Sequence, residues 1–307
     1  MIAYIGRRIL LLVLTLFIST FVIFGAMQLV PGDPILAMFF PRVPSPEVYR
    51  SLQEQLGLNK PFFVRYFNYI GKVVLHGDLG DSFKQIRPVS SIIVLNLAPT
   101  VELGLAGIFV SMAIGIPIGF LAAATPYRVV DQSVMVLALI GVSTPSFWLG
   151  LLLILVFSLG LGWFPTSGVG GLSYLVLPAL TLGLYGAGYL ARFARSSVLE
   201  VKHMDYVTTA RSKGLPERIV NWRHIFRNAL IPVATMSGLL VGYMLGGAVI
   251  VETVFGRLGM GHVLVNAISE KDFPLVQGLL IFIVSMFSVV NLIVDISYAY
   301  IDPRVKY

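Results

Sequence analysis

The chain has 307 residues, of which 57% are hydrophobic and only 12% charged, and it carries a formal charge of +7. A soluble domain carries about a quarter charged residues, so water is excluded as the main solvent. The lack of cysteine excludes disulfides and thiolate metal sites, and the positive charge lies among membrane loops, where it sets orientation rather than recruiting nucleic acid.

Crossing about 30 Å of hydrocarbon takes about 20 residues of helix, and six apolar stretches are long enough: 9–30, 101–124, 134–161, 172–190, 229–251 and 275–299. Runs such as LLLVLTLFISTFVIF have no alternating β-barrel pattern. The fold class expected is an all-α integral membrane protein with six transmembrane helices. The first stretch has no charge and no small-x-small cleavage site, and it exceeds a signal-peptide core, so it reads as an uncleaved anchor.

Six spans put both termini on one side with the loops 125–133 and 191–228. That side holds 13 of the 22 Lys and Arg residues, which makes it the cytoplasm. The outward segment 31–97 has seven basic residues but is long enough to translocate regardless of charge. It opens with VPGDP. Ser45 and Pro46 read as an N-cap and first helical residue of EVYRSLQEQL, which stops at Gly57. A second helix begins near Pro61 and carries Phe62, Tyr66, Tyr69 and Val73 on one face. Two such amphipathic helices fit either the membrane surface or the mouth of a pore.

The third span is interrupted at Ser143-Thr144-Pro145-Ser146, where a kink is expected. The freed carbonyls there are candidates for a solute path, although prolines are also frequent in membrane helices. Glu102, Glu252 and Asp295 lie within or at the ends of spans, where ionisable groups are costly and therefore functional candidates. Asn291 and Asp295 share a face as an i, i+4 pair suited to the path or to binding a neighbouring helix.

The segment 191–228 has eight basic and three acidic residues and is strongly patterned. In DYVTTARSKG, Tyr206, Val207 and Ala210 share one helical face while Thr208, Arg211 and Ser212 fall on the other. Gly214 is a left-handed stop, and Pro216 with Glu217 starts a new helix. That helix places Ile219, Trp222, Phe226 and Ala229 in one apolar stripe leading into the fifth span.

DYVTTARSKG-x9-HIFRNALIPV resembles the cytoplasmic coupling loop, the EAA motif, of binding-protein-dependent ABC transporter permeases in the dipeptide, oligopeptide, nickel and glutathione branch. RRILLLVLTLFISTFVIF with VPGDP, LGLNKPFFVRYFNYI, HGDLGDSF, PTVELGLAGIFVSMAIGIPIGFLAA, STPSFWLGLLL, LPALTLGL, ARFARSSVLEV, LLGGAVIVETVF and YAYIDPRVKY resemble that branch in order. The resemblance implies a type I ABC importer permease fold. Residues 1–30 would be the cytoplasmic tip and first helix, 31–97 the extracytoplasmic insert, 98–300 a five-helix core and 301–307 a cytoplasmic tail. It implies a multi-pass protein of the bacterial plasma membrane with both termini cytoplasmic. Its partners would be a second permease subunit, two ATP-binding subunits that hold ATP and magnesium, and an extracytoplasmic substrate-binding protein. Thr208, Thr209 and Ala210 match the E-A-A triplet and Gly214 its glycine, so the resemblance puts the ATPase contact on Asp205, Thr208, Thr209, Ala210, Arg211, Lys213, Gly214, Leu215, Glu217 and Arg218. Thr208 stands where the motif has glutamate, and Leu258 where the branch often has proline.

There is no G-x-x-x-x-G-K-[ST] phosphate loop, and GRLGMGH lacks the lysine. No HExxH pair or G-x-S-x-G elbow occurs, and His76, His203, His224 and His262 are scattered. The expected role is therefore a permease without catalysis or a cofactor of its own, carrying peptides or a related solute such as glutathione or a nickel chelate. Two other classes remain. An ion-coupled secondary transporter would show midplane carboxylates and repeated halves, and a non-transporting scaffold would not need the structured basic turn.

Overall fold

The computed structural model describes residues 2–39, 42–125 and 127–301. Residues 302–307, most of the expected tail, lie outside them. The described residues form thirteen α-helices and no strand, and fall into two compact units, 2–98 with 259–289 and 99–258 with 290–301.

The first unit contains α1 (Ile2–Leu29), α2 (Pro34–Phe39), α3 (Pro46–Gln55), α4 (Phe62–His76), the start of α5 (Val89–Ala124), α12 (Met260–Ser269) and most of α13 (Phe273–Ile301). The punctuation expected for the insert is in place. Ser45 Oγ accepts from Val48 N at 3.4 Å, and Gly57 and Gly77 take φ of 62° and 66° after α3 and α4. Between α1 and α2, Asp33 Oδ1 accepts from the backbone N–H of Ile35 at 2.8 Å and Leu36 at 3.3 Å, and the Tyr49 hydroxyl donates to Oδ2 at 2.5 Å. Partial burial raises the Asp33 pKa, but these three donors outweigh it and hold the carboxyl below its ordinary 3.8. The apolar face of α4 closes on the first span: Tyr66 is fully buried among Phe17, Phe21 and Phe24, with its hydroxyl 3.0 Å from Thr20 Oγ1. Burial pushes the neighbouring Tyr69 phenol up to about 12.

The HGDLGDSF segment is fixed by a residue that the sequence reading did not single out. Asp272, fully buried before α13, accepts from Ser82 Oγ at 2.5 Å and from the backbone N–H of Phe83 and Lys84 at 3.1 and 3.2 Å. Three donors on one carboxylate satisfy the charge that burial would otherwise penalise. Beside it Val89, Ile92 and Ile93 pack with Met260, Leu264, Leu275 and Leu279.

The second unit is built around α8 (Ser173–Lys202), which packs between α5, α6 (Arg128–Ser143) and α11 (Arg227–Val254). Glycines allow this. A Cβ on Gly115 of α5 would stand 2.6 Å from the Ala187 carbonyl oxygen, and one on Gly188 of α8 would stand 2.5 Å from that of Ala138 in α6. Lipid offers no hydrophobic drive between helices, so close backbone approach is the available source of attraction. Ser111 Oγ reaches the Gly107 and Gly183 carbonyls at 2.8 Å each, a bond from α5 to α8, and Arg195 of α8 clamps Asp131 of α6 through two bonds of 2.5 and 2.6 Å.

Among the described residues five helices are long and apolar enough to cross a membrane, and a sixth span is obtained when the pair on either side of Thr144-Pro145 is counted as one. The kink expected there is a break: α6 and α7 (Ser146–Leu153), which continues as a π-helical segment Ile154–Gly160, differ in direction by 105°. Pro145 lacks an N–H and restrains Thr144 to an extended conformation (ψ 123°).

Candidate coupling and polar sites

The fourth apolar stretch was expected to end at 190, but α8 runs on to Lys202. Arg192 and Arg195 ended the apolar run, yet Ala194, Val198 and Val201 remain buried on the same helix. The polar projection is therefore shorter than 191–228. It comprises α9 (Asp205–Ser212), a turn, α10 (Glu217–Ile219) and a π-helical segment, Val220–Phe226, that merges into α11.

Val207 and Ala210 are buried as the α9 pattern predicts, against Phe120, Val198, Val201, Val220, Ile225 and Ala229. Tyr206 is exposed and accepts at its hydroxyl from Asn228 Nδ2 at 3.1 Å. The helix ends in Gly214 at φ 78°, with Gly214 N–H donating to Arg211 O at 2.9 Å and Leu215 N–H to Ala210 O at 3.4 Å. Pro216 then starts α10, and Arg211 Nε donates to Glu217 Oε1 at 2.8 Å across the turn. Thr208, Thr209, Lys213, Gly214, Leu215, Glu217 and Arg218 are exposed together on this projection, with Asp205 at its start.

The stripe expected after Pro216 is corrected. Val220, Ile225 and Ala229 are buried, whereas Ile219 and Trp222 are 41% and 56% exposed. An α-helical period puts Ile219, Trp222 and Phe226 inside, but a π turn holds more residues and advances the buried face to a spacing of five. Phe226 and Trp222 still touch Phe120, with ring centroids 4.9 and 5.3 Å away.

Of the candidate path residues, Glu102 pairs with Arg257, whose side chain is 1% exposed against 52% for Glu102. Arg257 Nε also donates to Pro99 O at 3.3 Å, and its backbone N–H to Glu252 O at 2.8 Å. Glu252 is fully buried. Arg257 was missed; its signal was a lone arginine in the loop after the fifth span, with two carboxylates at nearby span ends. Ser143 and Pro145 are exposed at the α6–α7 break, and Asn291 and Asp295 are half-buried one turn apart on α13. Among the described residues no group of three His, Cys, Asp or Glu is placed to hold a metal.

This arrangement of helices and projecting turn has close parallels. Residues 115–307 match the family described as binding-protein-dependent transport system inner membrane component, and residues 1–104 match its N-terminal counterpart. A Brucella abortus protein carrying the name of a peptide transport system permease is 41% identical over 315 residues, covering all of both chains. The glutathione transport system permease protein GsiC of Salmonella choleraesuis is 40% identical over 307 residues, again covering all of both. Among solved structures, an inward-facing form of the MetNI methionine ABC transporter matches 69% of this chain and 97% of its own with a TM-score of 0.56 at 16% identity. An amino acid ABC transporter matches 70% of this chain and 95% of its own with a TM-score of 0.53, also at 16% identity. At that identity the structures establish the fold, and the sequence relatives establish the kinship: the chain belongs to the family of binding-protein-dependent transport system inner membrane components.

Proposed function

We propose that this chain is one of two transmembrane subunits of an ATP-driven importer and forms half of the passage for peptides delivered by an extracytoplasmic binding protein. The observation that carries the reading is the exposed α9–Gly214–α10 projection, held by its buried Val207 and Ala210, in a chain that matches peptide and glutathione permeases over its whole length. On this reading the projection faces the cytoplasm and docks on an ATPase subunit, and both termini lie on that side in the bacterial inner membrane. ATP binding by the partner subunits draws the two projections together, and the helix cores reorient from outward to inward access. The ATPases must bind the two states with different affinity, since equal affinity shifts nothing.

The test is reconstitution with the products of the adjacent genes in proteoliposomes. ATP-dependent uptake of di- or tripeptides is expected, with no hydrolysis by the purified chain alone. Uptake driven by a proton gradient without ATP would point to secondary transport instead, and undiminished uptake in a deletion strain to a scaffold. Orientation is checked by single cysteines at Ser51 and Ser212, which should label from opposite sides with an impermeant thiol reagent.

A further inference from the structure

Helix α8 is the most enclosed span of the protein, yet one strip of it is uncovered in mid-helix. Beyond Thr181 the residues that stay accessible at a regular interval are Tyr185, Tyr189, Arg192 and Ser196, with spacings of four, three and four that place them on one face. Tyr243 of α11 completes the strip: its ring stacks on Tyr185 with centroids 4.7 Å apart and an interplanar angle of 12°, and Tyr189 follows at 5.6 Å. Tyr189 is 41% and Tyr243 53% exposed. At 1.5 Å per residue, Tyr185 stands about 18 Å from the Ser173 end of α8 and Tyr243 about 16 Å from the Val254 end of α11, well inside both spans.

The accessible faces of the other spans are different in kind. Helix α1 offers Leu10, Leu14, Phe17 and Ile18, and α5 offers Leu105, Phe109 and Met112, all suited to hydrocarbon. Tyr185 shares hydrogen bonds with Tyr189 and Tyr243, yet Tyr189 and Tyr243 stay open on their outer side, and phenol edges turned toward lipid at this depth would forgo the further bonds that water supplies. Nor does the strip have the character of the closest backbone approaches around α8, which are made at glycine, alanine and serine. A polar strip in mid-membrane that suits neither lipid nor close helix packing faces water.

We propose that Tyr185, Tyr189, Tyr243 and Arg192 line the solute passage, the aromatic faces taking peptide groups of varied sequence and Arg192, on the turn after Tyr189, taking the peptide carboxylate. This rests on the peptide-permease reading and adds the contacting residues to it. Aromatic faces with hydroxyl edges accept many side chains without demanding one, and a guanidinium pairs with a carboxylate through two parallel bonds. Every unmodified peptide carries that carboxylate. Beside Tyr243, Gly246 leaves open space on the same side of α11, since a Cβ there would meet no atom within 4 Å.

The chain has no cysteine, so a single one can be placed at will. In the complete complex in proteoliposomes, Tyr189→Cys should react with a charged methanethiosulfonate and be slowed at least several-fold by saturating tripeptide. Phe109→Cys, on the lipid-suited face of α5, should stay unreactive. Arg192→Gln should lower tripeptide uptake about tenfold, and Arg192→Lys, which keeps the charge but loses the second parallel bond, should restore part of the loss. A Tyr189→Cys complex that transports but resists the reagent overturns the proposal and assigns the strip to the partner subunit, and one that labels without protection by peptide overturns the peptide contact. An Arg192→Gln complex with unchanged uptake overturns the carboxylate contact. Failure of the parent complex to take up any peptide refutes the permease reading itself and is seen before any variant is made.

Discussion

Gly214 offers a graded test of the proposed coupling segment. Its φ of 78° lies in the left-handed region, and a Cβ there would meet no heavy atom within 4 Å, so any cost of substitution is backbone conformation rather than crowding. An L-residue held left-handed costs about 1–2 kcal/mol, with asparagine at the low end and β-branched residues beyond the high end. Against this the turn is held by the two backbone bonds to Arg211 and Ala210 and by the exposed Arg211–Glu217 pair, and such an exposed pair contributes about 0–1 kcal/mol. The two backbone bonds add about 0.5–1.5 kcal/mol each, so Gly214→Val competes with what holds the turn, Gly214→Ala strains it less and Gly214→Asn least. Val207 and Ala210 still anchor α9, and insertion depends on the spans, so membrane abundance should not change. Uptake and ATP hydrolysis measured together in the reconstituted complex should decline in the order Asn, Ala, Val, with the valine variant largely uncoupled and Ser212→Ala close to the parent. Full coupled transport by Gly214→Val, or asparagine as damaging as valine, would refute the conformational argument and withdraw the segment as the ATPase contact.

In the helix core, Gly115→Ala should destabilise the purified chain by about 1–3 kcal/mol, because the new methyl meets backbone of Ala187 that cannot swing aside. Gly246→Ala, in open space, should be neutral or gain up to about 1 kcal/mol in the same thermal unfolding assay in detergent; equal losses would sink the close-packing account. Glu102→Gln should cost about 1–3 kcal/mol by leaving Arg257 buried without its carboxylate, less than the ~3–5 kcal/mol of a fully buried pair because the Glu102 side chain is half exposed. The double variant Glu102→Gln, Arg257→Met should recover part of that loss, and simple additivity would speak against the pair. The Asp33 carboxyl has a folded pKa below its ordinary 3.8, so its stabilisation of the α2–α3 corner is complete above that value and is lost as pH falls through the folded pKa. Hydrogen exchange of 34–39 and 46–55 should thus hold steady down to about pH 4 and rise below, and Tyr49→Phe, which removes a donor, should move the rise to higher pH.

What could be read from the residues were features with a local cause. The left-handed stop at Gly214, the Ser45 cap and the apolar lengths of the spans each depend on a few adjacent residues, and the structure has them where expected. What escaped depends on partners distant in sequence. Asp272 is explained by Ser82, Phe83 and Lys84, Arg257 by Glu102 and Pro99, and the continuation of α8 past residue 190 by the neighbours that bury Ala194 and Val198. The π-helical segment before α11 was illegible for another reason: its residues are ordinary helix formers, and one extra residue per turn leaves no mark in composition while moving Trp222 outward and Ile225 inward. The stacked tyrosines were hidden by their company, since Tyr185 and Tyr189 sit in a glycine-rich run that reads as plain membrane helix.

The glycine seams around α8 have a mechanical consequence. Where Gly115 and Gly119 lie directly on the Ala187 and Ala191 backbone, and Gly188 on that of Ala138, no long side chain stands between the helices to yield under load. Well-packed protein interiors compress little, so α5, α6 and α8 behave as a stiff shaft. On the proposed reading, a thrust applied at the Val207 and Ala210 anchor, which bears on Val198 and Val201 of α8, passes along α8 toward Tyr189. Bending is left to the places where backbone bonding is interrupted: Pro117 of α5, Pro178 of α8, the Thr144-Pro145 break and the π-helical stretches.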